Sequence, residues 1–214
     1  MRGRRVLMDS FVSHGVRHIF GNPGTTETPL LDSLPVYPEI DYVMTLHESV
    51  AVTAASFYAQ ASGRVTVANL HVAPGLGNGI GSIYGALKTN SPVVVTAGQQ
   101  DTRMRLRNPV LAHDLVAMAA PVTKWSVQVE RADEIAPILR RAFKVATDAP
   151  QGPVFVSFTT YMSPLWATGL GVLFLGEQLH WSMIGALGLI LAGVAVATVE
   201  PWTFSTGGDR KSVV

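Results

Sequence analysis

Three segments of this 214-residue chain carry side chains capable of chemistry, and each stands where a β-rich run gives way to a helical one. Glu48, in Thr45-Leu46-His47-Glu48-Ser49, closes the run Asp41 to Leu46 and opens the Ala-rich stretch Glu48 to Ala61. His71 follows the run Val65 to Leu70 and leads into Val72-Ala73-Pro74-Gly75-Leu76-Gly77-Asn78. Gly21-Asn22-Pro23-Gly24-Thr25-Thr26-Glu27 follows the short run His18 to Phe20. Junctions of this kind lie at the C-terminal edge of a parallel sheet, the rim where α/β proteins assemble ligand sites. An imidazole there suits proton transfer, because its unperturbed pKa is near neutrality. Plainer roles exist for each group. A Glu in a first helical turn complements the macrodipole by about 0.3 to 1 kcal/mol. A strand-end His can be a satisfied structural residue, and either Thr can cap the helix that begins near Glu27.

The rest of the chain has to bring those junctions together. Helical periodicity over Val6 to Val16 precedes a strand at His18 to Phe20, and a helix at Thr26 to Leu34 precedes a strand at Asp41 to Leu46. The Ala-rich helix precedes a strand at Val65 to Leu70, followed by a glycine-rich helix at Leu76 to Lys88 and a strand at Pro92 to Ala97. A helix at Ala112 to Ala119, a strand at Thr123 to Val129, a helix at Ala132 to Thr147 and a strand at Val154 to Phe158 complete the alternation. Such a pattern, with continuous apolar strands such as Val93-Val94-Val95, predicts an α/β fold with a doubly wound, mostly parallel sheet covered on both faces. Val65-Thr66-Val67-Ala68 alternates more than the other strands, which fits an outer position in that sheet.

In order and spacing the three junction segments resemble the pyrimidine-binding domain of thiamine diphosphate enzymes, most closely the benzoylformate decarboxylase group of 2-oxo acid decarboxylases. The likeness continues through Ser91-Pro92-Val93-Val94-Val95-Thr96-Ala97-Gly98-Gln99-Gln100, Val122-Thr123-Lys124-Trp125-Ser126 and Ala149-Pro150-Gln151-Gly152-Pro153-Val154. It implies thiamine diphosphate as cofactor and Glu48 as the acid that hydrogen-bonds the aminopyrimidine ring, stabilising the tautomers needed for loss of the thiazolium proton. It implies that Gly24, Thr25, Gly75 and Asn78 line the cofactor, that His71 assists proton transfer around the reacting 2-oxo acid, and that Thr26 faces substrate. It also implies a dimerising domain, with the diphosphate and magnesium held by a diphosphate-binding domain of a partner chain. Ala51, Ala54, Ala55, Ala59 and Ala61 suit close approach at such an interface, although alanine is also the best helix former. His47 is read as structural or pocket-lining. No Gly-Asp-Gly motif of the metal- and diphosphate-binding kind occurs among the 214 residues, so inactivity of the chain alone is expected.

Composition narrows the alternatives. A formal net charge of +1 with 14% charged residues gives no nucleic-acid signature, and zero cysteine excludes disulfides and thiolate metal sites, as expected of a cytoplasmic chain. No frame of Gly75-Leu76-Gly77-Asn78-Gly79-Ile80-Gly81 gives a dinucleotide fingerprint, and the six histidines lack metal-ligand spacing, so no metal ligand is assigned. Beyond Phe158 the character changes: Glu177 and Glu200 enclose 22 positions without a formal charge. That meets the length of about 20 apolar residues needed for a membrane span. Thr160 to Ala167, Phe174 to Leu179 and Ile184 to Val194 resemble the last two transmembrane helices of an EamA-type drug/metabolite transporter. The expected layout is a pyrimidine-binding domain over residues 1–158, a transmembrane helical hairpin over 159–200 and a polar tail over 201–214. Three functions follow: a half-site module completed by another chain, a membrane-anchored interaction protein, or a non-functional fusion.

Overall fold

A computed structural model describes residues 3–100 and 107–159. The expected hairpin at 159–200 and the tail at 201–214 lie outside the described residues, apart from Thr159. Among the described residues, no helix is long and apolar enough to cross a membrane.

Among the described residues, six strands form one wholly parallel sheet in the order β2-β1-β3-β4-β6-β5. They are β1 His18–Gly21, β2 Asp41–Met44, β3 Thr66–Leu70, β4 Val93–Gln99, β5 Ser126–Val129 and β6 Val154–Thr159. The longer helices are α1 Gly3–Ser13, α2 Thr28–Leu31, α3 Glu48–Ser62, α4 Val72–Lys88, α5 Leu115–Ala119 and α6 Ile135–Thr147. Apolar side chains sort them into two layers. Met8, Phe11, Leu30, Leu139 and Phe143 put α1, α2 and α6 on one face. Ala51, Ala55, Leu76, Ile83 and Leu115 put α3, α4 and α5 on the other.

The chain leaves β1 toward the edge strand β2 through α2, and leaves β3 toward β4 through α4 on the opposite face. Neighbouring strands whose exits part in this way make the crevice that doubly wound sheets use for ligands. Gly21 and Asn22 leave one side of it, and His71 leaves the other.

Several expectations change in detail. β3 is interior, between β1 and β4, and all five of its residues are buried. Its polar residues are paired inside the fold, Thr66 donating to the Ala55 carbonyl at 3.0 Å and Asn69 to Thr96 Oγ1 at 3.0 Å, so alternation here does not mark an outer strand. The outer strands are β2, where Met44 is 70% exposed, and β5. The single helix expected at Thr26 to Leu34 is instead a 3-10 turn at Thr25–Glu27, the short α2 and a second 3-10 turn at Leu34–Val36, broken up by Pro29 and Pro35. α4 begins at Val72 rather than Leu76, with Pro74 tolerated in its first turn. Three of the five alanines of α3 serve its own core: Ala51, Ala55 and Ala59 are buried, letting α3 lie close to the sheet. The outward stripe of that helix is Val50, Thr53 and Phe57, with Phe57 66% exposed.

Candidate functional site

Glu48 is the first residue of α3, yet its carboxylate is turned inward and the residue is only 6% exposed. Burial of an acid is unfavourable unless donors surround it. Two amides do so here. Asn22, from the loop after β1, donates through Nδ2 to Oε1 at 3.2 Å, and Asn78, from α4, donates to Oε2 at 3.0 Å. Gly75 leaves room beside the acid, since a Cβ there would lie 3.1 Å from Glu48 Oε1 and 3.4 Å from His71 Cβ. His47, just before Glu48, accepts the Ser49 N–H at 3.2 Å and so caps α3. The helix therefore has a cap from its own flank, which frees the Glu48 carboxylate to point into the crevice.

His71 joins a second acid. Its Nδ1 is 2.8 Å from Glu27 Oε2 and 3.2 Å from Thr26 Oγ1. Glu27 is 4% exposed and also accepts the Gly24 N–H at 2.9 Å, the Gly98 N–H at 3.1 Å and the Thr26 hydroxyl at 2.5 Å. One buried carboxylate thus ties together the turn after β1, the end of β3 and the end of β4. With Nδ1 engaged by Glu27, the His71 ring is fixed in orientation and its Nε2 is the nitrogen left for other partners.

Two glycines make this packing attainable. A Cβ on Gly24 would come within 2.2 Å of His71 Nδ1, and one on Gly98 within 2.6 Å of Thr26 and 2.7 Å of Glu27 Oε1. Neither position accommodates a side chain without displacing the pair. Val72, between His71 and the body of α4, is fully buried and holds φ at 43°, in the left-handed region that β-branched residues avoid. Strain of this kind costs on the order of 1–3 kcal/mol and gathers at functional sites.

The residues singled out by sequence are thus largely assembled. Glu48, Gly75 and Asn78 meet one another, and His71, Gly24 and Thr26 meet around Glu27. Neither threonine side chain caps the 3-10 turn: Thr26 is buried against Glu27 and His71, and Thr25 lies exposed on the same turn. Sequence reasoning passed over Glu27 and Asn22. An acid and an amide in one strand-end turn, framed by Gly21, Pro23 and Gly24, were the available signal. Burial, and then the Glu27 charge, push the Tyr42 phenol well above its usual pKa, so it remains a protonated donor beside this cluster. A cavity of about 350 Å³ lies on the α1 and α6 side of the same edge, walled in part by Thr26, Glu27, Leu30, Thr96, Gly98 and Ile135. Glu48 and His71 do not line it.

Residues 1–118 match the family described as "Thiamine pyrophosphate enzyme, N-terminal TPP binding domain". Benzoylformate decarboxylase of Pseudomonas aeruginosa is 39% identical over 145 residues, 67% of this chain and 27% of that protein. Acetolactate synthase isozyme 3 large subunit of Escherichia coli is 33% identical over 156 residues, 73% of this chain and 27% of that protein. The solved structure of a thiamine diphosphate-dependent 4-hydroxybenzoylformate decarboxylase from Rhodococcus jostii superposes with a TM-score of 0.71 at 30% identity, covering 84% of this chain and 34% of that one. The chain therefore spans about a quarter of the length of these curated relatives.

Proposed function

Because the chain belongs to the thiamine pyrophosphate enzymes, through their N-terminal TPP-binding domain, we propose that it supplies the pyrimidine half of a thiamine diphosphate site in a 2-oxo acid decarboxylase of the benzoylformate type. The observation that carries this reading is the buried Glu48 carboxylate, held by one amide from the loop after β1 and one from α4 at the crevice between β1 and β3. The donor set fits an aminopyrimidine. Each Glu48 oxygen accepts one amide bond and keeps a further lone-pair direction to accept from a protonated ring nitrogen, and the Gly75 backbone leaves the approach open. When bound, the cofactor supplies the carbanion-stabilising chemistry of 2-oxo acid decarboxylation.

The protein's own groups then have separate tasks. Glu48 would hold the pyrimidine ring, with Gly24, Thr25, Gly75 and Asn78 as its surroundings. His71 would hold or deliver a proton from the nitrogen not engaged by Glu27, and Thr26 would orient the substrate side of the turn. A diphosphate- and magnesium-binding domain from another chain would complete the site. Exposed Met44, Leu46, Phe57 and Tyr84 offer apolar area for that domain or for a second copy.

The test is complementation. The chain alone, given thiamine diphosphate, magnesium and benzoylformate, should show no decarboxylation above background. Adding the remaining domains of a related benzoylformate decarboxylase should yield saturable turnover. Multiple turnover by the homogeneous chain alone would overturn the half-site reading, as would failure to bind those domains.

For residues 159–200, the 22 uncharged positions between Glu177 and Glu200 support a membrane-anchored alternative, with this segment as a transporter-like hairpin. Resistance to carbonate extraction is the expected result for it. A wholly soluble chain would end that reading.

A further inference from the structure

β2 and β3 are not neighbours in the sheet, since β1 runs between them. Even so, the Tyr42 hydroxyl on β2 donates to Asn69 Oδ1 on β3 at 3.1 Å. Gly21 makes the crossing sterically feasible: a Cβ there would lie 2.0 Å from the Tyr42 oxygen and 2.8 Å from the Asn69 carbonyl. From Asn69 the polar line continues, Nδ2 donating to Thr96 Oγ1 on β4 at 3.0 Å and Thr96 returning to the Ala68 carbonyl at 3.3 Å. Asn69 also accepts the Asn22 N–H on its main-chain carbonyl at 3.3 Å. Asn22 in turn donates to Glu48.

We propose that Tyr42 is a positioning residue of the half-site, acting as a strap that clamps Asn69 so that its main chain holds the Asn22 loop and the Asn22 amide holds Glu48. The inference rests on the reading of Glu48 as the pyrimidine-side acid. A phenol suits the work because its rigid ring delivers one donor across the gap without the rotamer freedom of a longer chain. Asn69 is 3% exposed, so an unpaired Oδ1 there would stand unsatisfied in the interior and the side chain would turn to find another partner. Movement of Asn69 passes directly to Asn22, because the bond between them uses the main chain of the same residue.

Tyr42→Phe removes the one oxygen and keeps the ring. In the full chain, the Asn22 backbone amide should exchange with solvent at least threefold faster and the Asn22 side-chain amide resonances should shift, while the Val67 and Val94 amides keep their protection. In the complemented assembly, thiamine diphosphate affinity should fall about 2- to 10-fold, the equivalent of one net hydrogen bond. A role acting through Glu48 predicts that Tyr42→Phe has no further effect on affinity when Glu48→Gln is already present, whereas a purely structural role predicts additive losses. Unchanged Asn22 exchange, or additive losses, would overturn the proposal. Should Tyr42→Phe lose the core protection, Asn69→Ser decides: it removes the oxygen that accepts from Tyr42 and keeps the main-chain carbonyl that accepts from Asn22, so faster Asn22 exchange supports the strap while unchanged exchange overturns it. If Glu48→Gln leaves affinity untouched, the reading of Glu48 fails, and the Asn22 exchange still decides the strap by itself.

Discussion

In an assembly completed by a diphosphate-binding domain, Glu48→Gln should lower turnover by about 10²-fold or more, while His47→Gln should stay within a fewfold of the parent. Both residues lie in one junction, yet they differ in what they face. The Glu48 carboxylate points into the crevice and is held there by Asn22 and Asn78. Glutamine keeps the shape but cannot ionise, and its single carbonyl and amide cannot satisfy two donating asparagines as well as a ring nitrogen. Loss of a preorganised electrostatic partner in a water-excluded site commonly costs 10² to 10³ in rate. His47 spends its ring on the Ser49 N–H, and losing a cap costs on the order of 1 kcal/mol of stability with no direct cost to chemistry. Steady-state decarboxylation rates of the two variants, at saturating cofactor, check this. Equal rates for Glu48→Gln and the parent would remove Glu48 from the mechanism.

The second large effect concerns folding. Glu27→Ala should lower the unfolding free energy by about 3–5 kcal/mol, the scale found when one partner of a buried, charged network is deleted. The cause is not one lost contact. Alanine leaves the Gly24 and Gly98 N–H groups without the carboxylate that accepts them. It also strips His71 Nδ1 and the Thr26 hydroxyl of a partner. Each buried donor left unsatisfied costs about 1–3 kcal/mol, less whatever water recovers. Glu27→Gln should fall between the parent and the alanine variant, because one carbonyl oxygen remains to accept. Urea titrations of the three proteins check the order. A shift below about 1 kcal/mol for Glu27→Ala would show that the four bonds contribute little, leaving the turn held by packing alone.

The alternation of elements was legible because its signals are local. Val93-Val94-Val95 reads as a strand buried on both faces, and the structure places it in the middle of the sheet. Glu48 stood out because it separates two kinds of periodicity, and that boundary coincides with the edge of the sheet. Strand order was less legible: the alternation in Val65 to Ala68 suggested an outer strand, whereas hydrogen bonds from Thr66 and Asn69 allow polar residues in the interior. Such partners come from residues 11 and 27 positions distant, where no local pattern reaches. Glu27 was hidden for the same reason. Its donors come from Gly24 and Thr26 nearby, but also from His71 and Gly98, brought in only by the stacking of β1, β3 and β4. The interior alanines of α3 show the converse, since a small-residue stripe reads alike whether it meets a partner or its own sheet.

The parting of the chain at β1 and β3 makes the two amides on Glu48 unequal. Asn78 rides on α4, which packs in the same layer as α3, so the bond from Asn78 to Glu48 stays within one layer. Asn22 belongs to the loop that feeds α2, in the opposite layer. A shift of the α3 and α4 layer against the sheet would stretch the bond from Asn22, whose N–H is held by Asn69 on β3, and spare the bond from Asn78. The acid is thus gripped between two jaws of different origin, as in a caliper, one in the layer that carries α3 and α4 and one on the loop that β3 holds through Asn69.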